Sequence, residues 1–369
     1  MSAITDKQQF SSRDVTAAKL SSYQIAKRRR NLLYSACITL FALIMLSLYI
    51  MPLVFGVVTS LKSQAQASAP NSPLLPSDII KFAYEGETYD VYNVPTDEGI
   101  KQWALIQRRR RGASVFIDIN DPGQELIEWE GNTFLLEPAY ELSIQWSNYP
   151  EAWNEISFPR LLGNTLVYAF VTMIGTLVAS AFVAYGFARF RFPFRNILFM
   201  VLMSTIILPP AVTLVPTYAF FVRVLKWGGT WYPLIVPQMF GNAYNVFLLR
   251  QYFLTIPREM EEAAQVDGAG PFRTFISVIL PQSVPALTAV ALFHFFFAWN
   301  DFFGPLIYLA GSRDKNPISV GLTEFNGLYE QNTELILAAS VISMILPLTI
   351  FFLAQRVFIQ GIVITGVDK

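Results

Sequence analysis

Six stretches of this chain are apolar for long enough to cross a bilayer, and the polar segments between them differ greatly in length. They fall at 31–58, 163–187, 196–222, 233–254, 283–309 and 335–357. Even the shortest, at about 1.5 Å per residue, exceeds the roughly 30 Å of hydrocarbon in a membrane. Residues 1–30 are polar, end in Lys27-Arg28-Arg29-Arg30 and read as a mobile tail. Between the first two apolar stretches the pattern changes. A Ser-, Gln-, Ala- and Pro-containing linker at 63–76 leads into short β-branched and aromatic runs at 88–94, 102–106, 113–119, 125–129 and 133–136. Such runs predict strands. Asp121-Pro122-Gly123 and Gly131-Asn132 supply turns, and Arg108–Arg111 with Gly112 forms a charged hairpin tip.

The pattern therefore predicts an all-α polytopic membrane protein with six transmembrane helices and a small β-rich insertion between spans one and two. Its parts are a tail (1–30), a first transmembrane helix (31–58), the insertion with its linkers (59–160) and a five-helix core (161–369). A cleaved signal peptide is the competing reading of 31–58, because Ala65-Gln66-Ala67 resembles a cleavage site. The apolar core is too long for that, and the tail before it is also long. Arg189, Arg191, Arg195 and Arg356, with Lys27–Arg30, mark one side as cytoplasmic. Both termini then lie inside and the insertion outside, in a multi-pass membrane protein. The prolines at 52, 209, 210, 216, 237, 285, 305 and 347 favour a bent, packed bundle, because backbone groups freed in lipid need partners.

Composition agrees. The 369 residues are 53% hydrophobic and 15% charged, with mean hydropathy +0.40, too apolar for a typical soluble chain. A formal net charge of zero argues against a nucleic-acid partner. The single cysteine, Cys37, leaves no intrachain disulfide framework.

The most distinctive polar interruption is 257–281, predicted as two short helices with a break at Asp267-Gly268. Pro257 suits a first helical turn, and Glu259, Glu261 and Glu262 place negative charge at the positive helix end. Phe272, Phe275, Ile276 and Ile279 fall on one helical face, after which Pro281 ends the second helix. An apolar face left over on a charged helix pair calls for a protein partner.

These residues carry a resemblance. Glu262-Ala263-Ala264, Asp267-Gly268-Ala269 and Leu280-Pro281 resemble the EAA loop of membrane subunits of binding-protein-dependent ABC importers. Phe247–Phe253 with Ile256-Pro257, Pro210 with Val215–Tyr218, Trp299–Phe302 with Pro305–Ile307, and Ala354-Gln355-Arg356 followed by 361–369 are similar to carbohydrate-type permeases, the maltose-type second subunit in particular. Asn148-Tyr149, Ala152-Trp153, Phe158, Arg160 and Asn164–Leu166 match before span two. The β insertion is a departure from short-loop members of that family.

The resemblance implies that 257–281 is a cytoplasmic coupling helix docking into a separate ATPase subunit through Glu262, Ala263, Ala264, Asp267, Gly268 and Ala269. Asp267 is placed either to cap the second helix or to touch the partner. It also implies an ATP-binding subunit pair, a second permease of different sequence, an extracytoplasmic solute-binding protein reached by the loop 310–334, and the lipid bilayer of a prokaryotic cytoplasmic (inner) membrane. No stretch fits a phosphate-cradling Gly-x4-Gly-Lys-Ser/Thr motif. No cofactor is therefore expected in this chain, with ATP and Mg in the partner ATPase, and there is no catalytic or metal site. Asn242, Asn245, His294, Asn300 and Asp301 are candidate pathway residues, or interhelical hydrogen-bond groups. Trp227, Trp231 and Trp299 read as interfacial anchors or packing. The function implied is half of the translocation pathway for a sugar, sugar polymer or glycerol-phosphate-like solute. Two other classes compete with it: a self-contained secondary transporter, which would need ion-coupling residues and hydropathy repeats, and a membrane-anchored sensor working through the β domain.

Overall fold

The computed structural model describes residues 3–69, 72–96, 98–109, 112–121, 125–325 and 332–363. The expected turn at Pro122-Gly123, the tip residues Arg110 and Arg111, most of the loop from Phe325 to Asn332 and residues 364–369 lie outside them. So do the side chains of Arg28, Arg29 and Arg356.

The first of two compact units, Met1–Val58, is almost entirely one helix, α1 (Ala3–Thr59). The tail expected to be mobile is instead helical from Ala3 and runs into the span without a break. Nothing before Pro52 interrupts it, since no glycine or proline occurs earlier. Its apolar length, Arg30–Thr59, is exposed throughout its most apolar window.

The second unit, Thr59–Lys369, holds the insertion and the core. A short helix, α2 (Gln64–Ser68), opens it, with Ser63 as the N-cap. The side-chain amide of buried Gln66 donates to the Pro73 and Leu75 carbonyls and to Ser77 Oγ, which fixes the linker. Strand β1 (Ser77–Ile79) pairs antiparallel with the last strand, β8 (Tyr140–Leu142). Between them β2 (Lys81–Tyr84), β3 (Glu87–Thr96), β4 (Gly99–Gln107), β5 (Ser114–Asp118) and β6 (Leu126–Trp129) form an antiparallel meander in chain order. Strand β7 (Glu137–Pro138) adds to β3. Glu85 and Gly86 both have positive φ, the two-residue turn that matches hairpin twist. Val91, Ala104 and Ala139 are buried on one face of the sheet, and Val94, Trp103 and Phe116 on the other. Four of the five expected strands are therefore present. The fifth, 133–136, is a turn, and the pairing passes to Glu137-Pro138 instead.

The core is helical. After α3 (Asn148–Glu155) comes α4 (Phe158–Arg189), which buries Leu161, Thr165, Tyr168, Thr172, Thr176, Ser180, Ala184 and Ala188 among its other inward residues. Small side chains at that spacing let neighbouring helices approach closely. Next, α5 (Arg195–Ile207) and α6 (Pro210–Tyr218) follow, and α6 runs into a π-helical turn, Ala219–Val224. Residues 195–207 and 212–224 are bent by 99° at the Pro209-Pro210 break.

The stretch expected as span four is not one helix. It comprises α7 (Tyr232–Ile235), a 3-10 turn (Pro237–Phe240) and α8 (Ala243–Thr255). Gly241 breaks it with φ +76°, and Asn242 caps α8 by accepting from the Asn245 amide. Then come α9 (Arg258–Val266), α10 (Pro271–Thr274), a π-helical turn (Phe275–Ile279), α11 (Leu280–Gln282) and α12 (Val284–Trp299). The helical run 271–282 meets α12 at 79°. Finally α13 (Phe303–Tyr308), α14 (Ile318–Gly321) and α15 (Thr333–Val363) complete the chain. Pro281, expected to end its helix, sits inside α11, and the break falls just after it at Ser283.

Among the described residues three helices are long and apolar enough to cross a membrane alone, or five if each bent pair is one span. The sharp bends fall at or beside prolines, where the ladder loses a donor.

Thr176 Oγ1 donates to the Gln238 carbonyl (2.8 Å), which also accepts from the Gly241 amide (3.2 Å), and so ties the break at Gly241 to α4. At the break itself, a Cβ on Gly241 would lie 2.7 Å from Ser180 Oγ and 3.1 Å from its amide nitrogen. Gly241→Ala should therefore lower the thermal midpoint of the detergent-purified protein, by about 1–3 kcal/mol of strain. Gly186→Ala in α4, where a Cβ meets nothing within 4 Å, should leave the midpoint unchanged or raise it.

Candidate functional site

The segment 257–281 folds as an elbow against the last two turns of α4. Its first arm is α9, which follows Pro257 as N-cap rather than including it. The arm ends in a Schellman motif: Gly268 N donates to Gln265 O (3.0 Å) and Ala269 N to Ala264 O (2.9 Å). That closure needs a left-handed residue after the C-cap, and Gly268 supplies it at φ +82°. The spacing of Ala264, Gly268 and Ala269 is thus the spacing of a helix stop. Asp267 is the C-cap of this first helix and does not cap the second, whose N-cap is Gly270 with Pro271 next.

Arg189, the last residue of α4, holds this arm. Its Nε lies 2.5 Å from Glu261 Oε1, with the two side chains only 7% and 10% exposed. Its Nη2 donates to the Ile256 carbonyl (2.7 Å), where α8 ends. One guanidinium therefore ties together three elements. The second arm is held by aromatics: Tyr185 stacks on Phe275 at 4.7 Å, Phe182 lies 5.1 Å from Phe275, and Tyr185 Oη donates to the Pro271 carbonyl.

What faces outward matters as much. Glu262, Ala263, Asp267 and Gly268 are exposed, with Ala264 and Ala269 half-buried. Val266 at the elbow tip is 88% exposed, and Phe272 is 63% exposed. The single face expected for the second helix is split: Phe275 and Ile279 are buried, whereas Phe272 and Ile276 are not. The two pairs form neighbouring i, i+4 rows of that face, and the row carrying Phe275 packs on Phe182 and Tyr185 of α4.

The five candidate pathway residues each have a defined local setting. Asn242 is a helix cap, and Asn245 and His294 are both buried, each 3% exposed. His294 Nε2 lies 3.4 Å from Thr176 Oγ1. Asn300 donates to the Phe296 carbonyl of its own helix. Asp301 accepts from Tyr168 Oη at 2.7 Å and from the Gly304 amide. Trp231 packs on Tyr168 and Trp227 on Phe221, as packing rather than free anchors.

Residues 172–364, more than half of the chain, match the model of the family described as binding-protein-dependent transport system inner membrane component. The chain belongs to this family. Relatives include the osmoprotective compounds uptake permease protein GgtD of Synechocystis sp., 30% identical over 69% of this chain and 86% of that one. The sn-glycerol-3-phosphate transport system permease protein UgpE of Rhizobium meliloti is 35% identical over 57% of this chain and 74% of its own length. Among solved structures, a chain of a bacterial ABC transporter for the acidic polysaccharide alginate superposes with TM-score 0.59 over 89% of this chain and 97% of that chain. At 19% identity that likeness speaks for the fold. The protein is thus the permease component of a binding-protein-dependent ABC importer, with sugar-type relatives.

At the other end of α4 the permease carries a cleft of about 980 Å³ between α2, the β insertion, α3 and the start of α15. Asp78, Asp90, Glu141, Glu151, Glu155 and Glu334 line it, against Lys81. Burial alone would raise the Asp78 carboxyl, but hydrogen bonds from Ser143, Ser63 and Gln145 outweigh it and hold it below the ordinary aspartate value.

Sequence reasoning singled out Glu262 in the elbow and used Arg189 only as a charge marker. The pairing of Arg189 with Glu261 leaves no local signal, because the two residues are far apart in sequence. Removing one partner of a buried ion pair leaves an uncompensated charge, at a cost of about 3–5 kcal/mol. Glu261→Ala should therefore lower the unfolding midpoint of the purified permease markedly. Glu262→Ala, at an exposed position, should stay within about 0.5 kcal/mol of wild type.

Proposed function

We propose that the elbow is a cytoplasmic coupling helix through which ATP hydrolysis in a separate pair of ATP-binding subunits drives transport by this permease. The observation that carries this reading is the exposed elbow tip. Val266 and Phe272 present apolar surface on an otherwise charged helix pair, while Arg189 and Tyr185 hold its back. Such a rigid, partly apolar short helix suits insertion into a partner's groove. Glu262 sets the register by pairing with a basic residue of the ATPase, and Ala263, Ala264 and Ala269 permit close approach.

Six crossings follow from this reading: α1, α4, the bent α5–α6 pair, the broken α7–α8 segment, α12 and α15. Both termini are cytoplasmic and the β insertion is extracytoplasmic. Support comes from α4, whose 32 residues span about 48 Å, longer than a roughly 30 Å hydrocarbon core and so long enough to separate the elbow from the insertion across it. The chain performs no covalent chemistry and holds no cofactor, with ATP and Mg bound by the partner. A second permease subunit completes the pathway, and an extracytoplasmic solute-binding protein delivers a sugar, sugar polymer or glycerol-phosphate-like solute.

The test is co-purification of the permease with its ATPase in detergent. Glu262→Lys changes an exposed charge and should weaken ATPase retention about tenfold or more, equivalent to about 1.4 kcal/mol. Gly268→Pro, which cannot adopt the positive φ, should abolish it. Undiminished retention in Glu262→Lys, or solute transport by the permease alone in vesicles, would rule the reading out.

A further inference from the structure

The helices around the elbow differ in one mechanical respect. The bend between α5 and α6 is 99°, that between 271–282 and α12 is 79°, and α8 is severed from α7 at Gly241. A push on any of these is absorbed where the helix is broken. By contrast α4 has no break, and its only proline is in the first turn.

Both ends of α4 are tied to a loop by side chains. At the inner end, Arg189 grips Glu261 and the Ile256 carbonyl, and Tyr185 grips the second arm through Pro271 and Phe275. At the outer end, Asn164 Nδ2 donates to the carbonyls of Asp314 (2.9 Å) and Asn316 (3.0 Å). One residue on, Thr165 Oγ1 accepts from the Ile318 amide at 2.9 Å. A turn further in, Tyr168 Oη donates to Asp301 Oδ2, and the Asp301 carbonyl accepts from Ser319 Oγ. Seven residues of loop and helix start, 313–319, thus hang on the first three turns of this helix.

We propose that α4 is a connecting rod: movement of the elbow reaches the outer segment 313–319 through this one unbroken helix, with Arg189 and Asn164 as its end fastenings. The inference rests on the coupling-helix reading above. By reciprocity the same rod carries a disturbance of the outer segment back to the elbow. Arg189 and Asn164 are positioning residues, and neither needs to touch solute or nucleotide.

The experiment uses the complete importer reconstituted in lipid vesicles, in a Cys37→Ser background. A nitroxide is placed either at Val266→Cys, the exposed elbow tip, or at exposed Arg313→Cys. Spectra are compared before and after trapping with ATP and orthovanadate. With α4 intact, both labels should respond. In Asn164→Ala the elbow label should respond as before while the outer label loses most of its response. Arg189→Met/Glu261→Leu replaces the buried pair by apolar side chains of similar size, which keeps the packing. It should likewise leave the elbow label responsive and the outer one quiet. If the outer label responds undiminished in both variants, or is silent with α4 intact while the elbow label moves, the rod is overturned and coupling stands. A silent elbow label with α4 intact overturns the coupling reading and this inference with it.

Discussion

Inside hydrocarbon every freed backbone amide and carbonyl must find a partner in the protein, and this constraint shapes the core of the permease. Its helices are interrupted at Pro209-Pro210, Gly241 and Ser283, and each interruption frees such groups. The hydroxyl-bearing side of α4 answers part of that demand. Thr165 accepts from the Ile318 amide, which opens α14, and Thr176 adds a second donor to the Gln238 carbonyl, already bonded to the Gly241 amide beside the break. Because Thr172 and Ser180 are equally buried on the same side, the broken segments can lie directly against α4. The bundle tolerates bent helices because one unbroken helix, α4, supplies small and polar side chains along its length.

The same helix organises the two ends. Where it leaves the core, its polar and aromatic residues clasp the elbow. Where it enters, its Asn164 and Thr165 hold the 313–318 segment. A buried ion pair between Arg189 and Glu261 contributes specificity of placement more than net stability, since desolvation offsets much of its attraction. Its geometric effect is to turn one face of α9 inward and leave Glu262, Ala263 and Val266 outward.

The β insertion adds a separate core, centred on Phe116 and Trp103 on one face of the sheet and Val91 and Ala104 on the other. The two-stranded ribbon β1–β8 and the hydrogen bonds of Gln66 and Gln145 to Ser77 and Asp78 join it to the helical part of the chain. These joints are polar and specific, as expected where a sheet must sit at a defined place on a bundle without a shared apolar interior.

The sequence alone determined where chain is apolar enough to cross, where strands alternate, and where a helix must stop. Continuous hydropathy, β-branched runs and a glycine at the Schellman position are local signals, and local physics reads them. That is why the break at Gly268 and four strands of the insertion were legible. Only the tertiary structure decided which of two adjacent glutamates is buried, because Glu261 faces inward through a partner far away in sequence. It likewise decided that 233–254 is broken at Gly241, since the packing of Ser180 and Thr176 against that turn makes the break tolerable. Local pattern sets the elements, while long-range contacts choose their faces, their bends and the charges they can afford to bury.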